Sequence, residues 1–323
     1  MRLAYERDTL LDANAALPLG HLQAFGRGVG FCAEFNDMVK AFASCLSQKT
    51  RLCHQTPRTP KGITVCRGWE DYFEPAVSSL DNPFALLNAR EWSGRRYAAL
   101  RPALRALMRQ GTGCTTFMFD PIAHERPTTL TIEALDFEGE FETIATEVSR
   151  HLWRLNEETN AAVEMAKRDI TETSCDLALH VRRGDKRQEF SYVPVEMYLD
   201  ALRPFAGAGK RLFVASDDPT TCLDLQDRLT GDFDVVTSAG PADHSGRTEA
   251  GYDQASFNTL PPSTRHRQVV ELLAEVEIMR RAGIFIGAST SNVFITLRRL
   301  RGDAPTLDLT QGAWGDRQNW RRF

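Results

Sequence analysis

The sequence predicts an α/β protein of two domains, the C-terminal one a Rossmann-like parallel sheet with helices on both faces. Three observations carry this expectation. The chain has 323 residues, long for one core and comfortable for two. From Cys175 onward, apolar runs of strand length alternate with stretches whose apolar residues recur at helical spacing. Apolar strands separated by helices imply a parallel sheet covered on both sides.

The C-terminal elements follow in order. "CDLALHVRR" (175–183) reads as a strand, and "VPVEMYLDALRPF" (193–205) as a helix with Pro194 suited to its first turn. "KRLFVASD" (210–217) is a second strand, and "DPTTCLDLQDRL" (218–229) a helix with Asp218 as N-cap and Pro219 at its first position. "DFDVVTSAG" (232–240) is a third strand, followed by a polar loop to about Pro262. "RHRQVVELLAEVEIMRRAG" (265–283) is a long helix closed by a glycine, "IFIGAST" (284–290) a strand and "SNVFITLRRL" (291–300) a last helix.

The N-terminal half is less regular. A glycine turn, "GRGVGFCAEFND" (26–37), leads into a helix over 38–49. A short strand and an aromatic turn are expected over 62–75, and helices over 84–109 and 139–168. "DITETS" (169–174) marks the boundary, giving domains 1–170 and 171–302 and a tail, 303–323.

Composition limits the partners. Hydrophobic residues make up 42% and charged residues 25%, with a net charge of −4, which argues against a general nucleic-acid binder. No apolar run is long enough to span a membrane. The opening "MRLAYERDTLLDANAALPLG" places charges where a signal peptide needs its apolar core, so the chain as given is expected in the cytoplasm. The Golgi or secretory lumen is the alternative for a trimmed chain. The seven cysteines show no CxxC or Cys/His spacing, so no metal site is expected. A Cys53–Cys66 bridge is open; reduced thiols are the preferred reading.

The strand at 175–183 ends in "HVRRGDKRQEF" (180–190). The plain reading is a strand leaving the core into solvent. An adhesive "RGD" is discounted, because the same letters recur in "LRGDAP". The functional reading is an anion site. Arg182 and Arg183 offer planar forks that match phosphate oxygens. Gly184 allows a sharp turn. His180 stands at the last inward position of the strand. Asp185, Lys186 and Glu189 supply a base candidate and its electrostatic partner, as transfer from a nucleotide sugar requires.

"GASTSNVF" adds a second candidate anion site, with Ser289, Thr290 and Ser291 at a helix start; capping by Thr290 or Ser291 is the nearly equal alternative. In "SDDP", Asp218 is most simply a cap, whereas Asp217 ends an apolar strand on the functional rim. "GRGVGF" lacks an evident preceding strand and the GxGxxG spacing of a dinucleotide fingerprint.

Taken together, "HVRRGDKRQEFSYVPVEMY" resembles the donor-binding motif of the α-1,6-fucosyltransferases, both the N-glycan core enzymes and the bacterial nodulation-factor enzymes. "RLFVASDDP" is similar to their second strand and acidic turn, and "VVELLAEVEIMRRAGIFIGASTSNV" to their long helix, strand and serine-containing helix start. "GVGFCAEFNDMVKAF" and "GWEDYFEPAV" are similar to their glycine and aromatic turns. The resemblance covers most of 28–75 and 175–300. It implies a GT-B-like pair of α/β domains, with the N-terminal one on the acceptor side. It also implies GDP-fucose as donor, transfer with inversion to a hydroxyl of a GlcNAc-containing glycan, and no cofactor or metal. It implies that Arg182 holds the β-phosphate, His180 lies at the guanosine end and Glu189 is the base beside Lys186 and Asp185. Arg183, Gly28, Gly30, Tyr198, Asp217, Asp218, Ser289, Thr290 and Ser291 fall on the donor side. Glu275 stands where the family has an aspartate that reads the nucleotide. Gly184 departs from the threonine of the core enzymes and resembles the "HxRRGD" of α-1,2- and protein O-fucosyltransferases. The alternatives are therefore a protein O-fucosyltransferase or another linkage and, from a different class, a non-catalytic nucleotide-sugar-binding protein.

Overall fold

A computed structural model describes residues 5–56, 62–120, 128–183, 192–207, 209–238, 247–248 and 251–310. Contacts divide the chain into two units, one of 1–161 with 261–269, the other of 162–260 with 270–323.

The first unit is built on a parallel sheet. Its elements are α1 (Arg7–Ala15), β1 (Leu19–Gln23), α2 (Phe31–Ser47), β2 (Arg51–Gln55), β3 (Ser79–Leu80), α3 (Arg101–Thr112), β4 (Thr116–Phe117), the antiparallel pair β5 (Thr129–Ile132) and β6 (Phe137–Glu140), and α4 (Phe141–Leu152). The sheet order is β3-β2-β1-β4, all parallel. α2 is buried from Phe31 to Leu46 except at the half-buried Ala33. Its Phe31 and Phe35 pack into an aromatic core in which Trp69 stacks on Phe73 at 4.3 Å and Phe35 meets Trp153 edge-on at 4.8 Å. α5 (Glu157–Ile170) leads into the second unit.

The second unit carries β7 (Leu177–Val181), α6 (Val195–Leu202), β8 (Arg211–Ser216), α7 (Pro219–Leu229), β9 (Asp234–Thr237), the hairpin β10 (Arg247–Thr248) and β11 (Gly251–Tyr252), and α8 (Gln254–Thr259). It continues with α9 (Pro262–Arg281), β12 (Ile284–Gly287), α10 (Asn292–Arg301) and β13 (Thr306–Asp308). Its sheet runs β13-β12-β7-β8-β9, all parallel. β7 is buried at every residue, which explains its unbroken apolar run. The end of α9 is fixed by Arg301, whose guanidinium donates to the carbonyls of Met279, Arg280, Ala282 and Gly283 at 2.9, 3.0, 2.7 and 3.2 Å, groups that a helix end leaves unpaired. The first residues of α9 belong to the other unit. There Arg265 donates to the Gly62 carbonyl at 2.5 Å and His266 stacks on Tyr72 at 5.4 Å.

Several expectations are corrected. A strand, β1, does precede the glycine turn, and α2 begins at Phe31 rather than 38. β1 was hidden by its polar letters, yet His21 and Gln23 are buried and bond each other at 3.1 Å. No strand forms over 62–75. The Asp71 carboxylate instead gathers the backbone N–H groups of Val65, Cys66, Arg67 and Gly68 into a turn. The helix expected over 84–109 forms only from Arg101, after short 3₁₀ turns. Asn88 holds the earlier segment to the sheet by donating to the Leu22 carbonyl at 3.0 Å and accepting from Met118 N–H at 2.8 Å. The helix expected over 139–168 is broken at 153–156, where Trp153 enters the aromatic core and Asn156 caps a new start by accepting from Thr159 N–H at 2.8 Å. The expected loop before Pro262 contains the β10–β11 hairpin and α8, and residues 306–308 of the expected tail form an edge strand. All seven cysteines are free.

Candidate active site

β7, β8 and β12 run parallel, so their carboxyl ends share one edge of the sheet. From β7 the chain proceeds to β8 and β9 on one side; β12 and β13 lie on the other. The order therefore reverses between β7 and β12, and a crevice opens at such a switch point where ligands settle in open α/β sheets.

The β7 side of this point is cationic and held in place. Arg182 and Arg183 are half-buried just past the strand. The Arg182 guanidinium is paired with the Asp217 carboxylate, which also accepts the Arg183 backbone N–H at 2.6 Å. Asp217 follows β8 directly, and its carbonyl accepts from Tyr252 N–H of the hairpin at 2.9 Å. The Arg183 guanidinium donates to the Arg182 carbonyl at 3.0 Å and lies 5.1 Å from the Tyr192 ring centre. His180 is buried, with no partner for Nδ1. Burial, reinforced by Arg182, pushes its pKa down to about 3, so the ring is neutral.

The β12 side is a turn of small residues into α10. Ser289 N–H donates to Asp308 Oδ1 at 3.1 Å, and Ser289 Oγ meets Thr310 Oγ1 at 2.5 Å, which ties the turn to the end of β13. Ser291 is the N-cap residue of α10 and is buried, yet its side chain makes no capping bond. The first N–H groups of the helix are thus not closed by the hydroxyl. Thr290 lies between them, half-buried.

The other expected residues are placed as follows. Asp218 caps α7, accepting from Thr220 and Thr221 N–H at 3.1 and 3.2 Å. Tyr198 is buried in the core beneath β7, and burial pushes its hydroxyl up to about 12. Glu275 is buried on α9 and accepts from Ser238 Oγ. Gly28 and Gly30 belong to the first unit. There Gly26 and Gly28 have φ of 86° and 95°, which only glycine adopts without strain. The N–H groups of Gly26, Arg27 and Gly28 converge on the buried Glu34 carboxylate at 2.5, 2.6 and 3.2 Å, so this nest holds an anion of the protein's own. Gly184, Asp185, Lys186 and Glu189 lie outside the described residues.

Among the described residues no group of three or more His, Cys, Asp or Glu is arranged to hold a metal ion, and no helix is long and apolar enough to cross a membrane. Sequence reasoning did not find Asp308 and Thr310, although the alternation in "TLDL" was a signal for their strand.

No family model and no curated protein sequence matches the chain. Solved structures do. NodZ α-1,6-fucosyltransferase soaked with GDP-fucose aligns at 13% identity and a TM-score of 0.49, over 88% of this chain and 92% of that one. POFUT1 in complex with GDP aligns at 10% identity and a TM-score of 0.49, over 90% and 99%. Fucosyltransferase NodZ from Bradyrhizobium aligns at 12% identity and a TM-score of 0.47, over 88% and 93%. Likenesses this distant do not carry chemistry from those proteins to this chain.

Proposed function

We propose that the chain is an inverting, GDP-fucose-dependent fucosyltransferase that moves L-fucose to the 6-hydroxyl of a GlcNAc-containing glycan, with its two α/β units in a GT-B-like arrangement. The observation that carries this is the switch point between β7 and β12. There a guanidinium fork anchored by Asp217 follows β7, and a buried, uncapped serine opens the helix that follows the neighbouring strand β12. Cationic forks beside a helix N-terminus are what a diphosphate needs.

In this reading Arg182 holds the β-phosphate and Arg183 shares the charge. Ser291 and Thr290 meet the diphosphate from the α10 side, while Ser289 fixes their turn. The neutral His180 offers its open Nδ1 toward the nucleoside, and Glu275 reads the base. Tyr198 and Asp218 support the rim from below. Glu189, kept ionised by Lys186, takes the proton of the acceptor hydroxyl. The freed oxygen attacks C1 of fucose from the face opposite GDP, and the C1–O bond to phosphate breaks, leaving GDP held by the arginines. Asp185 orients the segment. The N-terminal unit receives the acceptor, and its glycine turn at Gly28 and Gly30 serves the donor.

Gly184 favours a second reading, transfer to a protein Ser or Thr hydroxyl or in another linkage, because "HVRRGD" resembles the "HxRRGD" of α-1,2- and protein O-fucosyltransferases. Incubation with GDP-fucose over a glycan array and a panel of folded protein domains tests both. Transfer to glycans alone supports the first reading and transfer to folded domains alone the second. Failure of GDP to bind, or equal binding of UDP, overturns the donor assignment.

A further inference from the structure

We propose that the segment between β3 and β4, residues 84–112, docks on a surface of anionic lipid headgroups. The segment is a basic island in a chain of net charge −4: it contains Arg90, Arg95, Arg96, Arg101, Arg105 and Arg109 against one acid, Glu91, and no lysine.

Its inner side is settled. Phe84, Leu87, Trp92, Leu104 and Met108 pack against a core that includes Leu22, Phe117 and Phe119. Two arginines are used internally: Arg105 pairs with Asp120, and Arg101 donates to the Ser93 and Gly94 carbonyls at 2.8 and 3.3 Å. The second contact pins the Arg95–Arg96 turn beside the start of α3.

The outer side is unlike a surface made for water. Leu86 is 84% exposed and Leu100 51% exposed. Pro102, Ala103 and Ala106 are also exposed on α3, where a solvated helix normally carries acids, lysines and amides. The same segment carries the exposed Arg95, Arg96 and Arg109, which make no ion pair among the described residues. Arg109 lies about 12 Å along the helix from Arg101, at 1.5 Å per residue.

Guanidinium groups interleaved with exposed aliphatic side chains match a membrane interface, where the forks bind phosphodiesters and leucines enter the acyl boundary. A saccharide partner would instead need open aromatic faces. Trp92 and Tyr97 are engaged with each other at 4.8 Å, and Arg96 covers Tyr97 at 4.7 Å.

The test is co-sedimentation of the full chain at 0.15 M salt, where the Debye length is about 8 Å. One set of vesicles is neutral phosphatidylcholine; the other contains about one-third phosphatidylglycerol, a range in which each arginine near the surface contributes appreciably. Binding is expected to the anionic vesicles only. It should fall at least tenfold in Arg95→Gln/Arg96→Gln and again in Leu86→Ser/Leu100→Ser, with melting temperatures unchanged. Equal binding to neutral vesicles, or no loss in the arginine variant, overturns the proposal. Loss in the arginine variant with none in the leucine variant also overturns it, because the partner would then be a soluble polyanion.

Discussion

The Asp217 carboxylate, at the end of β8, grips Arg182 through its guanidinium and Arg183 through its backbone N–H, the latter at 2.6 Å. One acid thus fixes both residues that follow β7. Arg182→Lys keeps the charge and loses the fork, so turnover should fall at least tenfold with the fold intact, since one or two charge-assisted bonds of about 1.5–3 kcal/mol each are at stake. Steady-state transfer and circular dichroism check this together.

Asp217→Asn should leave Arg182 present but loosely aimed. The expected result is a weaker affinity for GDP, by about tenfold, one bond's worth at about 1.4 kcal/mol. Titration calorimetry with GDP reads the change directly, and Asp217→Glu should recover part of it.

Within the proposed mechanism, Glu189→Gln removes basicity and keeps size. It should bind GDP like the parent and lose transfer by about 10²-fold, the scale of a general base. Asp185→Asn should weaken donor binding instead. The reverse pattern in a paired binding and rate measurement would exchange the two roles.

Acid should unfold the protein through its buried histidines. Burial holds His21 and His54 down at about 4 and His180 at about 3. In the unfolded chain each would titrate near 6.5. Their folded pKa values lie below the unfolded one, so their contribution is whole above about pH 6.5 and is lost as pH falls through 4, at up to about 1.4 kcal/mol per pH unit for each ring. Urea midpoints between pH 7 and 4.5 should decline steeply. His54, with no partner for either ring nitrogen, is the place to test the cause: His54→Leu should flatten the decline.

Glu34→Ala would leave the N–H groups of Gly26, Arg27 and Gly28 facing an empty nest, and would leave the Arg27 guanidinium with Asp37 as its remaining ion-pair partner. A loss of about 3 kcal/mol is expected, the range for breaking a buried charged network. Chemical denaturation measures it.

Much of the C-terminal sheet was legible because its physics is local. Leu177–Val181 and Arg211–Ser216 are buried almost throughout and read as continuous apolar runs, and the cap at Asp218 formed as its letters suggest. β1 was not legible, because its polar residues satisfy one another across strands, His21 with Thr116 at 3.1 Å. The region 84–100 kept a helical rhythm but yielded to Asn88, whose partners lie 30 and 66 residues away. In the site, the strand ends and the serine turn could be read from their order. The pairing of Arg182 with Asp217 could not, since nothing in the spacing of two residues 35 apart reveals it.

The contribution of residues 261–269 to the first unit has a consequence for how the protein is made. On the ribosome, the N-terminal portion emerges early but lacks Arg265 for the Gly62 carbonyl and His266 for the face of Tyr72. Its final closure waits until most of the second unit has been synthesised. A nascent chain halted near residue 200 therefore exposes a buried tyrosine face to chaperones, and separate expression of the two halves severs a fold that is stitched across them.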